Sequence, residues 1–301
     1  MAGYLIVNPR SGNGGADELL AAAHERGIET HVLREGDDLE ALARGCDAGA
    51  IGMAGGDGSL APVAAAAMER GLPFVCVPFG TRNHFARDVG LDRADPLAAL
   101  AAFDDRVERT IDVAYANDRL FLNNVSLGVY ARLVHRREHH RRRGDAIARL
   151  RALASTIRHR HAVGLSLDGR PIQARVILVS NNEYELSVLS VGARERLDEG
   201  LLHVYAPRGV LRSGWVERSC ERLTIDARTG RLRAAVDGEP DVLETPIEFR
   251  VAPRALRVLL PGSVSHMDNP EPTETEEELA QTDRQEEEED MRGTTDPEEQ
   301  D

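Results

Sequence analysis

Residues 48–58, AGAIGMAGGDG, constrain this chain more than any other stretch. Ala50, Ile51 and Met53 are apolar, small glycines interleave, and no charge precedes Asp57, which is the pattern of a short buried strand. Gly55, Gly56 and Gly58 then admit positive φ and close approach of a ligand. Ser59 is placed to cap the following helix, with Pro62 tolerated in its first turn. A glycine loop at a helix N-terminus turns free N–H groups and the positive dipole end outward, which suits a phosphate. Asp57 is a lone carboxylate in that loop and would repel a phosphate unless a cation lay between them, so Mg²⁺ is expected nearby. Read alone, GGDG is equally a tight strand-to-helix turn with a capping Asp.

Two further turns share this character. The apolar run 4–7 breaks at Asn8-Pro9-Arg10-Ser11-Gly12 before a helix begins near Ala16. Its glycine spacing is not that of a dinucleotide fingerprint, and Asn8-Pro9 intervenes. A second strand is expected over 28–33, a helix over 37–44, and a fourth strand over 74–78 that runs into FGTRNHFAR. Strands alternating with helices imply a parallel sheet, and ligands gather at the carboxyl ends of its strands. The turns 8–15, 55–59 and 80–84 all leave such ends, which favours a nucleotide site.

Beyond about residue 112 the pattern changes to short strands. They are expected over 107–114, 120–127, 163–167, 172–179, 201–205, 223–226, 232–236, 247–251 and 256–260. Asp168-Gly169 is a hairpin signal. Many short strands with turns suggest an antiparallel sandwich. The stretch 141–160 is different: Ile147, Leu150, Leu153, Ala154 and Ile157 fall at helical spacing among arginines. Residues 135–161 hold nine arginines, five histidines and only Glu138 and Asp145 as acids. Such a helix can lie on an anionic membrane surface or pack one face on the domain. Nucleic acid is not an expected partner, because stacking aromatics are absent.

Charge divides the chain further. Net charge is −14, and the 16 acids and two arginines of residues 267–301 account for all of it. That acidic tail has no aromatic residue and is expected to be disordered. All 37 basic residues are arginine, which removes lysine chemistry, including a phosphate-loop lysine. Three scattered cysteines and no long apolar run point to a cytoplasmic protein, peripheral at the membrane if the basic helix docks there.

NPRSG, GGDGS, PFGTRNHFAR, NNVSLGVYA, LDEGLLHV and VDGEP occur in that order between residues 4 and 262. In this they resemble the diacylglycerol kinase catalytic domain family. That family includes sphingosine and ceramide kinases and bacterial lipid kinases, with NAD kinases as more distant relatives. The resemblance implies an N-terminal Rossmann-like parallel α/β domain plus a C-terminal antiparallel β-sandwich, NAD kinase/diacylglycerol kinase-like. The expected divisions are 1–112 for nucleotide, 113–262 for lipid with the basic insert 136–161, and the tail 267–301.

The resemblance also implies roles. ATP phosphates would be held by the backbone of Asn8, Pro9, Arg10, Ser11 and Gly12 and of Gly55, Gly56, Asp57, Gly58 and Ser59, with the hydroxyl of Thr81. Asp57 would bind nucleotide-linked Mg²⁺. A second, structural metal would sit at LDEGLL, on Glu199 and the backbone oxygens near Arg196 and Leu201. Glu239 matches the general base that takes the lipid hydroxyl's proton, with Asp57 the next candidate for that part. Asn83, His84 and Arg87 would form a supporting network.

Departures from the family pattern bear on that network. His84 replaces an Asp, titrates near neutral pH, and leaves the structural metal in doubt. Glu199 replaces Asp, Ser59 replaces Thr, Arg34 stands where a Thr often meets nucleotide, and Asn13 stands where some members have Lys. The implied function is an ATP-dependent kinase for diacylglycerol or a related lipid. The alternatives are a kinase for another hydroxylated lipid or a small alcohol, and a degenerate member that binds nucleotide or lipid without turnover.

Overall fold

The computed structural model describes residues 3–12, 14–128, 165–172, 174, 176–184, 193–207 and 215–266. Four short strands open the chain: β1 (Gly3–Val7), β2 (Glu29–Val32), β3 (Ala50–Gly55) and β4 (Phe74–Pro78). They lie parallel in the order β2-β1-β3-β4. β1, β3 and β4 are buried along their whole length, as expected of parallel strands covered on both faces. Helices α1 (Ala16–Glu25), α2 (Leu39–Gly45) and α3 (Asp57–Glu69) make the crossovers. Asp38 caps α2 by accepting the N–H groups of Glu40 and Ala41. Two short helices follow β4: α4 (His84–Asp88) and α5 (Pro96–Ala99).

The second half is antiparallel, in two sheets. β5 (Arg106–Ala116) and β6 (Arg119–Phe121) belong to the first sheet, whereas β7 (Asn124–Gly128) belongs to the second. β8 (Leu165–Leu167) and β9 (Arg170–Ile172) form a hairpin on the first sheet. Its turn has Asp168 and Gly169 at φ 49° and 74°, as the Asp-Gly signal requires. β10 (Val176–Asn181), β11 (Leu202–Pro207) and β12 (Trp215–Cys220) join β7 in the second sheet. β13 (Arg222–Ala227) returns to the first, β14 (Arg231–Val236) and β15 (Glu239–Glu244) to the second. β16 (Ile247–Pro261) closes the first sheet, pairing with β4, β5 and β13.

Two cores result. One lies beneath the parallel strands around Ile6, Ile51, Phe74 and Phe85; the other lies between the two antiparallel sheets around Phe121, Leu127, Val179, Ile225 and Phe249. The fold class read from the sequence is borne out. The expected boundary at 112/113 falls inside β5, whose neighbours Val113 and Ala114 face different cores.

Several element expectations are corrected. The strand over 120–127 is two strands, because Leu122 and Asn123 carry the chain from one sheet to the other. The strand over 172–179 is likewise split between β9 and β10. The strands over 247–251 and 256–260 are one strand, interrupted by a bulge between Ala252 and Leu256, where Arg254 adopts φ 49°. β12 and β15 are additional; their charged, exposed residues hide the alternation. The helix after GGDG starts at Asp57 with Gly56 as its cap, so Ser59 is inside the first turn and Pro62 in the second. The basic helix 141–160, Asn13 and the acidic tail 267–301 lie outside the described residues. Among the described residues no helix is long and apolar enough to cross a membrane.

Candidate active site

The turns after β1, β3 and β4 meet at one edge of the parallel sheet. Their glycines matter here for the side chain they lack. A Cβ on Gly80 would strike the Cα of Gly56, and one on Gly12 would lie 2.9 Å from the carbonyl oxygen of Phe79. Gly55, Gly56 and Gly58, expected to take positive φ, do not adopt it, whereas Gly12, Gly14 and Gly15 in the turn after β1 do, at 72°, 106° and 88°. Gly55 instead leaves room for Ser59, whose hydroxyl donates to the Gly56 carbonyl at 2.7 Å. The Asn8 carboxamide oxygen accepts the Arg10 N–H at 3.1 Å and its carbonyl accepts the Ser11 N–H, which curls the turn that begins at Pro9. Arg34 lies just beyond β2, its N–H on Asp37, and Thr81 is exposed in the turn after β4.

Asp57 ties these turns together. Its two carboxylate oxygens accept the His84 and Phe85 N–H groups at 3.0 and 2.9 Å, so it caps α4 from a distant part of the chain. It also accepts from the carboxamide of Asn123 at 3.3 Å. Asn83 shapes the approach to α4: at φ 48° its carboxamide bonds both the N–H and the carbonyl of Gly80.

Glu239 arrives from the opposite sheet. Asp237 and Gly238, at φ 47° and 86°, form the tight turn between β14 and β15. That turn places Glu239 against the first turn of α3, where a Cβ on Gly58 would lie 2.8 Å from Glu239 Cδ and Oε1. Glu239 is exposed, whereas Asp237 is buried. Asp237 accepts the N–H groups of Leu122, Asn123 and Asn124 at 2.8, 2.7 and 3.0 Å. Burial outweighs those bonds and pushes its carboxyl up to about 6.

Thus Asp57, the GGDG turn and Glu239 come together. Asn123 and Asp237 complete the arrangement without having been assigned a part from the sequence, although NNVSLGVYA and VDGEP contain them. His84 is half-buried, and that burial lowers its pKa from the ordinary histidine value against the opposing pull of Asp57. Arg87, expected in the supporting network, directs Nε and Nη2 to Asp88 Oδ1 at 2.9 and 2.7 Å.

At the loop assigned to the structural metal, the oxygens of Glu199 and Leu201 are engaged with protein partners. Glu199 Oε2 accepts the Glu183 N–H at 3.0 Å and lies 3.1 Å from His203 Nε2. The Leu201 carbonyl accepts the Asn182 N–H at 3.0 Å. Among the described residues no three His, Cys, Asp or Glu side chains converge as a metal site.

The diacylglycerol kinase catalytic domain family model matches residues 2–116. A probable lipid kinase YegS-like of Pseudomonas aeruginosa (strain UCBPP-PA14) is 37% identical over 131 residues, spanning 41% of this chain and 43% of that protein. A diacylglycerol kinase of Mycobacterium tuberculosis (strain CDC 1551 / Oshkosh) is 30% identical over 124 residues, spanning 38% and 40%. The chain therefore matches less than half the length of these curated relatives. The solved structure of a putative diacylglycerol kinase from Bacillus anthracis str. Sterne superposes with a TM-score of 0.64 at 20% identity, covering 87% of this chain and 98% of that one. That likeness extends to both sheets, and the resemblance drawn from the motifs is borne out: residues 2–116 match the diacylglycerol kinase catalytic domain family.

Proposed function

We propose that the chain is an ATP-dependent lipid kinase that transfers the γ-phosphate to the hydroxyl of diacylglycerol or a related lipid. The observation that carries this reading is the contact of Glu239, from the antiparallel half, with Gly58 at the GGDG turn. A carboxylate supplied by one sheet thereby faces a phosphate-suited loop supplied by the other. The names of the curated relatives, lipid kinase and diacylglycerol kinase, support the same class of acceptor.

The chemistry needs little covalent participation from the protein. The lipid hydroxyl oxygen bonds to the γ-phosphorus while the bond from that phosphorus to the β–γ bridging oxygen breaks, and ADP leaves. Glu239 takes the hydroxyl proton. Backbone N–H groups of Gly12 and of Gly56, Asp57 and Gly58, with the hydroxyl of Thr81, hold the phosphates; the Asn8, Arg10 and Ser11 N–H groups are spent within the fold. Mg²⁺ carried with the nucleotide would neutralise phosphate charge. Asp57 would hold it, because its carboxylate engages three N–H donors and keeps a lone pair to spare. The arginines of residues 135–161 would bring the protein to an anionic membrane surface.

A second reading, binding without turnover, draws on the capping of α4 by Asp57 and on His84, which supplies no carboxylate where the family pattern has one. One experiment separates them. Purified protein is incubated with γ-labelled ATP and a panel of membrane lipids, the products are identified by mass, and nucleotide binding is measured in parallel. A labelled phosphomonoester of a lipid alcohol is expected. Nucleotide binding with no labelled lipid would establish the second reading.

A further inference from the structure

We infer that the structural cation of this molecule is the guanidinium of Arg194, doing with a permanent side-chain charge what the family resemblance assigns to a metal. Arg194 is 2% exposed. Its Nε donates to Asp88 Oδ2 at 2.7 Å, Nη1 to the carbonyls of Leu122 and Asn181 at 2.7 and 2.9 Å, and Nη2 to Asn123 Oδ1 at 2.6 Å. The Tyr184 ring lies 5.5 Å from the guanidinium carbon. Asp88 is also fully buried through its side chain and is shared with Arg87.

Those four oxygens come from three places: the end of α4 (Asp88), the crossing from β6 to β7 (Leu122 and Asn123) and the end of β10 (Asn181). Arg194 itself stands two residues before the loop that carries Arg196, Glu199 and Leu201. A buried cation within an oxygen cage is how a hard metal ion joins segments of a chain. Here the cation is covalently attached and charged at every accessible pH. The oxygens of the loop proper are meanwhile turned to N–H, histidine and arginine partners. Asp112 of β5, beside the loop, is engaged likewise: its oxygens accept the Gly200 and Arg254 N–H groups at 2.6 and 2.7 Å. The disagreement with the family expectation is therefore a replacement and not a gap. The replacement also orients the site. With Asn123 Oδ1 held by Arg194, its amide nitrogen is the end that reaches Asp57.

This inference rests on geometry and not on the kinase reading, and its test reads metal content and stability, so either can fail alone. Full-length protein without nucleotide is dialysed against EDTA, then assayed for divalent metal by mass spectrometry and melted with and without added Mg²⁺ or Ca²⁺. Metal well below one ion per chain and Tm shifts under about 2 °C are expected. One retained ion per chain, or a larger fall on chelation, would overturn the inference. In the second arm Arg194→Lys keeps a charge beside Asp88 and Arg194→Met does not. Met should lower the urea midpoint more than Lys does. Equal losses would overturn the cation role and leave Arg194 as packing volume. Should neither variant fold, the chelation result on the native chain decides.

Discussion

The edge where the turns after β1, β3 and β4 meet and the polar layer behind it are stabilised by opposite means. The edge is built from what is missing. Gly56 and Gly80 touch backbone to backbone, Gly12 fits under the Phe79 carbonyl, and Gly58 accepts the side chain of Glu239. The layer behind is built from buried polar groups: Asp88, Arg194, Asn123, Asn181 and Asp237 bond one another or nearby backbone groups. An edge free of side chains leaves N–H groups open to a ligand. A layer of buried, satisfied polar groups tolerates little displacement, because every shift strands a donor or acceptor. Asp57 belongs to both, accepting N–H groups of α4 on one side and Asn123 on the other. The comparison predicts that changes at the edge cost function and changes in the layer cost stability.

The largest effect is expected at Glu239, where the two regions meet. Glu239→Gln keeps size and most hydrogen bonding but accepts no proton. Its kcat should fall by about 10²–10⁴, with nucleotide affinity and Tm near normal. The fall belongs toward the low end, because a loose transition state releases the hydroxyl proton late. Single-turnover transfer beside a melting curve reads both quantities. Loss of fold would move Glu239 into the structural layer and break the comparison.

Asp237, two residues away, should show the opposite behaviour. Its folded-state pKa of about 6 lies above the ordinary 3.8, so the folded chain takes up this proton first as pH falls. The resulting stabilisation is full below pH 3.8 and is lost as pH rises through about 6. Asp237→Asn cannot take part. The stability of the native chain relative to the variant should therefore be greater at pH 4 than at pH 7, by about 2 kcal/mol. Urea titrations of both proteins at the two pH values measure it. A gap independent of pH would mean that the three N–H bonds cancel the effect of burial, and the opposite dependence would mean that they outweigh it.

Gly80→Ala tests the edge itself. The new Cβ would meet the Gly56 backbone and lie 2.8 Å from Asn83 Oδ1, neither of which can yield cheaply. A cost of about 2 kcal/mol is expected from overpacking, together with a large loss of nucleotide affinity as the two turns separate. Unchanged affinity, measured by calorimetry with ATP, would show that the turns do not act as one surface.

The two regions also differ in how far the sequence discloses them. Each edge turn is a contiguous string with its own composition, so NPRSG, GGDGS and GTRNH are visible without knowing what lies beside them. The parallel strands are legible for the same reason, as uninterrupted apolar runs. The polar layer is assembled from pairs distant in the chain: Asp88 with Arg194, Asp57 with Asn123, Asp237 with Leu122. An isolated arginine in GARERL reads as one more surface charge among 37, and only the fold shows that it is interior. Glu199 differs again: its motif is legible, but the direction of its side chain depends on Glu183 and His203, which no local string specifies.

The smallest effect separates burial from geometry. Arg257 and Glu108 form an arginine–carboxylate fork on the surface, Nε to Oε1 at 2.6 Å and Nη2 to Oε2 at 2.8 Å, with side chains 45% and 40% exposed. The contact between Arg194 and Asp88 is of the same kind, one bond at 2.7 Å, with both side chains fully buried. By distance alone the surface fork is the better pair. Yet water already solvates both of its charges, so removing one partner strands nothing, whereas removing Arg194 leaves buried oxygens without donors. Arg257→Gln should therefore shift Tm by less than about 2 °C, and about 1 M salt, which shortens the screening length to about 3 Å, should erase even that difference. The hydrogen bond to Arg257 holds the Glu108 carboxyl below its ordinary value. The small contribution of the pair is thus present above the ordinary glutamate range and fades as pH falls through the lowered value. If Arg257→Gln instead cost as much as Arg194→Met, geometry and not burial would set the strength of these pairs, and the contrast between edge and layer would lose its physical basis.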